Sequence, residues 1–135
     1  MCGIFGYIGA RSPVEMVLEG LKKLEYRGYD SAGIVGLREG KIAYCKQVGK
    51  VSALESQTKE EKLVLDIAIG QTRWATHGKP SWINAHPHFD SLEKLGIVHN
   101  GIIENYVSIR DRLTKEGISF VSETDTEVIA HLIEE

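Results

Sequence analysis

Met1-Cys2-Gly3-Ile4-Phe5-Gly6-Tyr7-Ile8 opens the chain with a thiol beside the start and then a run that is apolar at odd and even positions alike. Such a run reads as a strand covered on both faces, so a strand over Cys2 to Ile8 at the centre of a sheet is expected. A small side chain after Met1 permits removal of the initiator methionine, which would leave Cys2 with a thiol and a free α-amine on one Cα. The thiolate is the reactive form of cysteine, and an α-amine with a reference pKa of about 8 can take its proton near neutrality. The plainer alternative is that Cys2 is a small hydrophobe at the head of a buried strand.

Downstream, Ser12-Pro13-Val14-Glu15 reads as a capped helix start, with Val14, Val17, Leu18, Leu21 and Leu24 forming one apolar stripe that packs on the sheet. Arg27 to Gly33 is polar and glycine-bracketed, hence a loop. Ile34 to Leu37, the turn Glu39-Gly40 and Lys41 to Val48 make a hairpin. Val51 to Thr58 is a short helix, and Leu63 to Gly70 an apolar strand that delivers Gln71-Thr72-Arg73-Trp74 at its end. Ala75 to Asp90, with three of the five histidines, is a long functional loop. Leu95 to His99 is a short buried strand running into Asn100-Gly101, a tight hairpin-turn dipeptide, with Ile102-Ile103 continuing beyond it. A helix through Tyr106, Ile109 and Leu113 stops at Gly117. A strand Ile118 to Val121 follows, and Thr124-Asp125-Thr126-Glu127 is a second capping box, opening a helix whose apolar face includes Val128, Ile129, Leu132 and Ile133.

A chain of 135 residues with 42% hydrophobic and 26% charged side chains is ordinary for one globular domain over 1–135. It has no apolar run long enough for a membrane span and no signal peptide is apparent. Two cysteines make no disulfide framework, so a cytoplasmic location is expected. A formal charge of -3 and no basic block argue against nucleic acid and for a small-molecule partner.

Four polar clusters lie at strand ends or helix starts: Cys2, Arg73 to His77, Asn100-Gly101 and Asp125. Attack by Cys2 on a carboxamide creates an oxyanion, for which the Asn100 amide and the Gly101 N–H are candidate donors. Arg73 can pair with a substrate carboxylate in bidentate fashion, and Asp125 with a substrate ammonium. Each also has an ordinary reading: a hairpin turn, a solvated arginine, a helix-dipole acid. A metal site among His77, His86, His88 and His99 lacks a third ligand at diagnostic spacing, so no metal and no cofactor are expected. Gly36-Leu37-Arg38-Glu39-Gly40-Lys41 is one residue short of a phosphate-binding loop and reads better as a turn.

Six stretches in order carry a family resemblance: Cys2-Gly3-Ile4, Leu24 to Gly33, Thr72-Arg73-Trp74-Ala75-Thr76-His77-Gly78, Asn84-Ala85-His86-Pro87-His88, Val98 to Asn105 and Ser122 to Glu127. They resemble the N-terminal-nucleophile glutaminase domain of class II glutamine amidotransferases, in particular the family of glucosamine-6-phosphate synthase, a glutamine:fructose-6-phosphate aminotransferase. The resemblance implies an α+β fold, the four-layer α/β/β/α sandwich, incomplete here, with Cys2 as nucleophile and Asn100 and Gly101 as oxyanion hole. It further implies that Arg73 and Asp125 hold L-glutamine, assisted by Thr76 and His77. Arg73 to about Ser81 would be a mobile lid, Trp74 would lie beside the ammonia route, and Arg27 and His86 would be supporting residues. Gln71 stands where the family usually has histidine. The family's domain continues past Glu135 into two sugar-isomerase domains of a homo-oligomeric enzyme, so this chain is expected to be an N-terminal portion. Two alternatives stay open: another class II amidotransferase, or an inactive module that binds a partner.

Overall fold

Four antiparallel strands, β1 (Gly3–Ile8), β2 (Ser31–Arg38), β3 (Lys41–Val48) and β4 (Ile67–Arg73), form a sheet in the order β1-β4-β2-β3 in the computed structural model, which describes residues 1–135. One face is covered by helices α1 (Pro13–Leu24) and α2 (Val51–Glu60). Val17, Leu18 and Leu21 of α1 and Leu54 of α2 pack with Ala32, Ile34, Cys45 and Ala68 of the strands into the apolar core. Ser12 caps α1 as its sequence predicts, its hydroxyl accepting from the Glu15 N–H at 3.4 Å. The Glu39-Gly40 turn, with φ of 51° and 76°, closes the β2-β3 hairpin and leaves no phosphate-binding loop at Gly36 to Lys41.

The second face receives a largely irregular layer, residues 74 to 126, whose only strands form a two-stranded ribbon, β5 (His88–Phe89) and β6 (Gly96–Ile97). Helices α3 (Tyr106–Lys115) and α4 (Glu127–Glu134) flank it. The chain is thus an α+β fold with one sheet built out and the other rudimentary, an incomplete sandwich. No helix is long and apolar enough to cross a membrane.

Several expected elements fall differently, each for an identifiable reason. The first strand is an edge, not the centre: β1 pairs only with β4, Phe5 and Tyr7 face the helices, and Ile4 and Ile8 on the other parity stay exposed. The strand expected from Ile34 starts at Ser31, because Ser31 to Gly33 already pair with Val48 to Lys46 and with Arg73 to Gln71. Gly33 is therefore a strand residue; a Cβ there would collide with the carbonyl oxygen of His86. The strand expected over Leu63 to Gly70 slides to Ile67–Arg73, so Gln71, Thr72 and Arg73 are ladder residues rather than the loop after it.

Beyond Ile97 side chains take the main-chain hydrogen bonds that strands would have used. The His99 N–H goes to His86 Nδ1 at 3.4 Å, the His99 carbonyl accepts from Gln71, and the Ile103 N–H goes to Asp125 at 2.7 Å. Asn100-Gly101 is consequently a bend and not a hairpin turn, with Gly101 at φ 146°. Ile118 to Val121 forms no strand either, since the Glu127 carboxylate accepts from the N–H groups of Val121 and Ser122, both at 2.7 Å. That use of Glu127 also removes the expected capping box: Thr126 is the cap residue of α4 and makes no side-chain cap bond. Of the stripe expected on α4, Val128 is buried, while Leu132 and Ile133 are exposed. Gly117 does end α3, the N–H groups of Gly117 and Ile118 returning to the carbonyls of Thr114 and Leu113.

Candidate active site

β4 carries the site because its two parities diverge. Ala68, Gly70 and Thr72 face α1, whereas Gln71 and Arg73 face the irregular layer and are buried there, 1% and 4% exposed. Gly3 pairs with Thr72 on the neighbouring strand, which sets Cys2 beside the end of β4. The Cys2 Sγ accepts from the Trp74 N–H at 3.2 Å and lies 3.5 Å from the Trp74 carbonyl oxygen.

A cleft holding about 20 Å³ of free volume is lined by Cys2, Arg73, Thr76, Gly101 and Asp125, together with Trp74, Gln71 and His86. That is room for about one water molecule, so a larger ligand enters only if the covering segment moves. The Arg73 guanidinium is held by that segment, donating to the carbonyls of His77, Gly78 at 3.0 Å and Lys79 at 3.5 Å. Burial lowers the pKa of Arg73, and the charges of Cys2, Asp30 and Asp125 act in the opposite sense. Asp125 is 4% exposed and already accepts from the Ile103 N–H.

Asn100 lies outside the cleft wall and is exposed, joined to it through Gln71, whose Nε2 donates to Asn100 Oδ1 at 3.0 Å. His77 turns away to stack against Tyr106 at 5.1 Å between centroids, so its carbonyl rather than its imidazole meets Arg73. Arg27 is also outside; its Nη2 reaches Met1 Sδ at 4.0 Å and its Nε has no partner. His86 sits under the Asn100 bend with Nδ1 accepting from His99, a neutral ring whose pKa burial pushes down to about 3. His88 bonds Thr124 at 2.9 Å, and no group of three His, Cys, Asp or Glu side chains is placed to hold a metal.

Sequence reasoning left three anchors unassigned. Asp30 accepts from the Ala75 N–H at 2.8 Å and donates its own N–H to the Arg73 carbonyl, fixing the root of the covering segment. Asn84 clasps that segment from the far end, donating to the Lys79 carbonyl and to Glu123, both at 3.0 Å, and accepting from the Glu123 N–H at 2.9 Å. Gln71 is the third. All but Gln71 lie inside the six stretches quoted above, which was the available signal.

The sequence model of a family described as a glutamine amidotransferase domain matches residues 55–135. The chain belongs to the glutamine amidotransferase family. Among curated members, the glutamine–fructose-6-phosphate aminotransferase [isomerizing] of Thermosynechococcus vestitus is 55% identical over 135 residues, all of this chain and 22% of that protein. The enzyme of the same name from Pyrococcus horikoshii is 56% identical, again over the whole chain and 23% of its own length. The chain thus spans less than a quarter of these amidotransferases. Among solved structures, the glutamine phosphoribosylpyrophosphate amidotransferase from B. subtilis, complexed with ADP and GMP, superposes with a TM-score of 0.84 at 31% identity, covering 98% of this chain and 29% of that one. The family match covers the strand that carries Gln71 and Arg73, and the similarity to the curated relatives extends over the whole chain, Cys2 included.

Proposed function

We propose that residues 1–135 are the N-terminal portion of a glutaminase domain that hydrolyses L-glutamine to glutamate and ammonia, in a parent protein that uses the ammonia to aminate fructose 6-phosphate. The observation that carries the reading is the convergence of Cys2, Arg73, Gly101 and Asp125 on one cleft. Identity of 55–56% to the fructose-6-phosphate aminotransferases, against 31% to the phosphoribosylpyrophosphate enzyme, favours the former over another class II member. The sugar-isomerase partner domains and a homo-oligomeric parent belong to the same proposal.

In this reading Met1, 75% exposed, is removed, and the freed α-amine takes the Cys2 thiol proton. The thiolate attacks the carboxamide carbon, and the oxyanion is received by the Asn100 side-chain amide and the Gly101 N–H. Collapse returns the proton to the departing nitrogen, releasing ammonia past Trp74, and water then cleaves the thioester to glutamate. Arg73 exchanges lid carbonyls for the substrate carboxylate as residues 74–81 move, with Thr76 and His77 in that lid. Asp125 receives the substrate ammonium on its free oxygen. Arg27 and His86 act in support, His86 by holding the bend at His99.

The test is glutamate release by the wild type, Cys2→Ala and Cys45→Ala. Cys45 is 3% exposed, and burial pushes its thiol up to about 12, so it is inert. Loss of activity in Cys2→Ala with retention in Cys45→Ala is expected; equal rates in all three overturn the assignment.

A further inference from the structure

We propose that Gln71 is a positioning residue that sets the orientation of the Asn100 side-chain amide, presenting its N–H donors and withdrawing its oxygen. The proposal deepens the reading of Asn100 as an oxyanion donor and rests on it for its catalytic consequence, but the orientation itself stands on geometry alone.

The two hydrogens of Gln71 Nε2 have two acceptors, the His99 carbonyl at 2.5 Å and Asn100 Oδ1 at 3.0 Å. Reversing the amide would set Oε1 against both oxygens, so its orientation is decided by the network. One NH₂ group thereby grips the main chain immediately before Asn100 and the side chain of Asn100 itself. The bond from Gln71 is the one side-chain hydrogen bond Asn100 makes, and Asn100 is exposed. Without it the two ends of the Asn100 amide would be free to exchange, and the amide would face the reacting carbonyl with an acceptor part of the time. An oxyanion is stabilised by a donor already in place and repelled by an oxygen.

A second observation points the same way. Gln71 is 1% exposed, and its Oε1 has no partner. A buried orphan acceptor costs folding free energy, and an apolar residue of the same length would avoid it. Every hydrogen bond of the side chain is made by its nitrogen. An amide is also uncharged at every working pH, so this grip does not titrate.

The experiment reads orientation and rate separately. In the ¹⁵N-labelled chain, nuclear Overhauser contacts should tie the Gln71 Nε2 protons to the β-protons of Asn100; their absence overturns the proposal before any variant is made. Gln71→Glu, nearly isosteric, sets an acceptor against both oxygens at neutral pH and should shift and broaden the Asn100 NH₂ resonances, with partial recovery as the new carboxyl protonates. Gln71→Met should broaden them without that pH response. Unchanged Asn100 resonances in either folded variant overturn the proposal. In glutaminase assays of the parent-length protein, Gln71→Met should lower kcat by up to about 10²-fold at nearly constant KM. Combined with Asn100→Ala it should be no slower than Asn100→Ala alone, because both act on one donor. Additive losses, or a loss in KM alone, overturn the positioning role. Absence of glutaminase activity in the wild type would instead defeat the functional reading, while the resonances still decide the orientation.

Discussion

On one face of the four-stranded sheet side chains meet side chains, α1 and α2 laying Val17, Leu18, Leu21 and Leu54 against Ala32, Ile34 and Ala68. On the other face the main chain itself comes down. The His86 carbonyl rests on Gly33, Gly96 lies against Val35, and Lys46 Nζ donates to the Pro87 carbonyl at 3.3 Å. The first kind of packing is interchangeable in detail and periodic in sequence. The second kind depends on single residues whose polar groups find a named main-chain partner, and it is there that the cleft forms.

Two glycines break the comparison open most strongly. A methyl at Gly20 on α1 meets the root of the Phe5 ring, so that half-buried side chain must shift as a whole, whereas a methyl at Gly33 meets a main-chain oxygen that can move only with the whole segment. Gly33→Ala should cost about 3 kcal/mol or more, and Gly20→Ala about 1 kcal/mol less or better, its overpacking against Phe5 partly offset by the better helix propensity of alanine. Urea unfolding of the two variants measures the difference; equal losses would mean that the faces are not packed differently.

The pH dependence of stability separates the two faces as well. Burial pushes His86 down to about 3 and His88 well below its ordinary value, so both are neutral in the fold, whereas the unfolded chain protonates them below about 6.5. Between pH 3 and 6.5 the unfolded state binds more protons, so stability rises with pH across that window and is lost as pH falls through it. The slope should approach about 1.4 kcal/mol per pH unit for each ring. The helix-covered core contains no such group. A His86→Gln, His88→Gln double variant should flatten the acid limb in a pH series of urea midpoints, and an unaltered limb would refute the assignment.

The smallest effect concerns Lys46, 6% exposed above the Trp82 ring at 4.5 Å. Burial holds its ammonium down to about 8, so its burden on the fold is relieved only as pH rises from 8 toward 10.5, where the unfolded chain still holds the proton. Lys46→Met should raise stability at pH 7 by about 1 kcal/mol and abolish that alkaline gain. Thermal unfolding at pH 7 and pH 9.5 checks both halves.

What the sequence made legible follows the same division. The stripe of α1, its Ser12 cap, the Glu39-Gly40 turn and the Gly117 stop are local devices, each written within a few adjacent residues, and all form. The end of β4, the edge place of β1 and the bend at Asn100 depend on partners 13 to 72 residues away, such as His86 for His99 and Trp74 for Cys2. No periodicity reports those. Glu127 reads as a capping acid because of its place three residues after Thr124; only the fold reveals that Val121 and Ser122 claim it first. For the site, the residue types proposed chemistry singly and the ordered motifs joined them. Gln71 escaped because a glutamine at a strand's end carries no signature of what its nitrogen will reach.

Strand β4 extends through Arg73, with Cys2 registered on it by the Gly3–Thr72 pair and Trp74 emerging from its last residue. The Cys2 sulfur, the amide at position 71 and the guanidinium at 73 are therefore gathered at the end of one strand. Residues 74–81 supply both the N–H that meets that sulfur and the carbonyls that hold the guanidinium, so the cover and the groups beneath it are tied together and a shift in one is passed to the other.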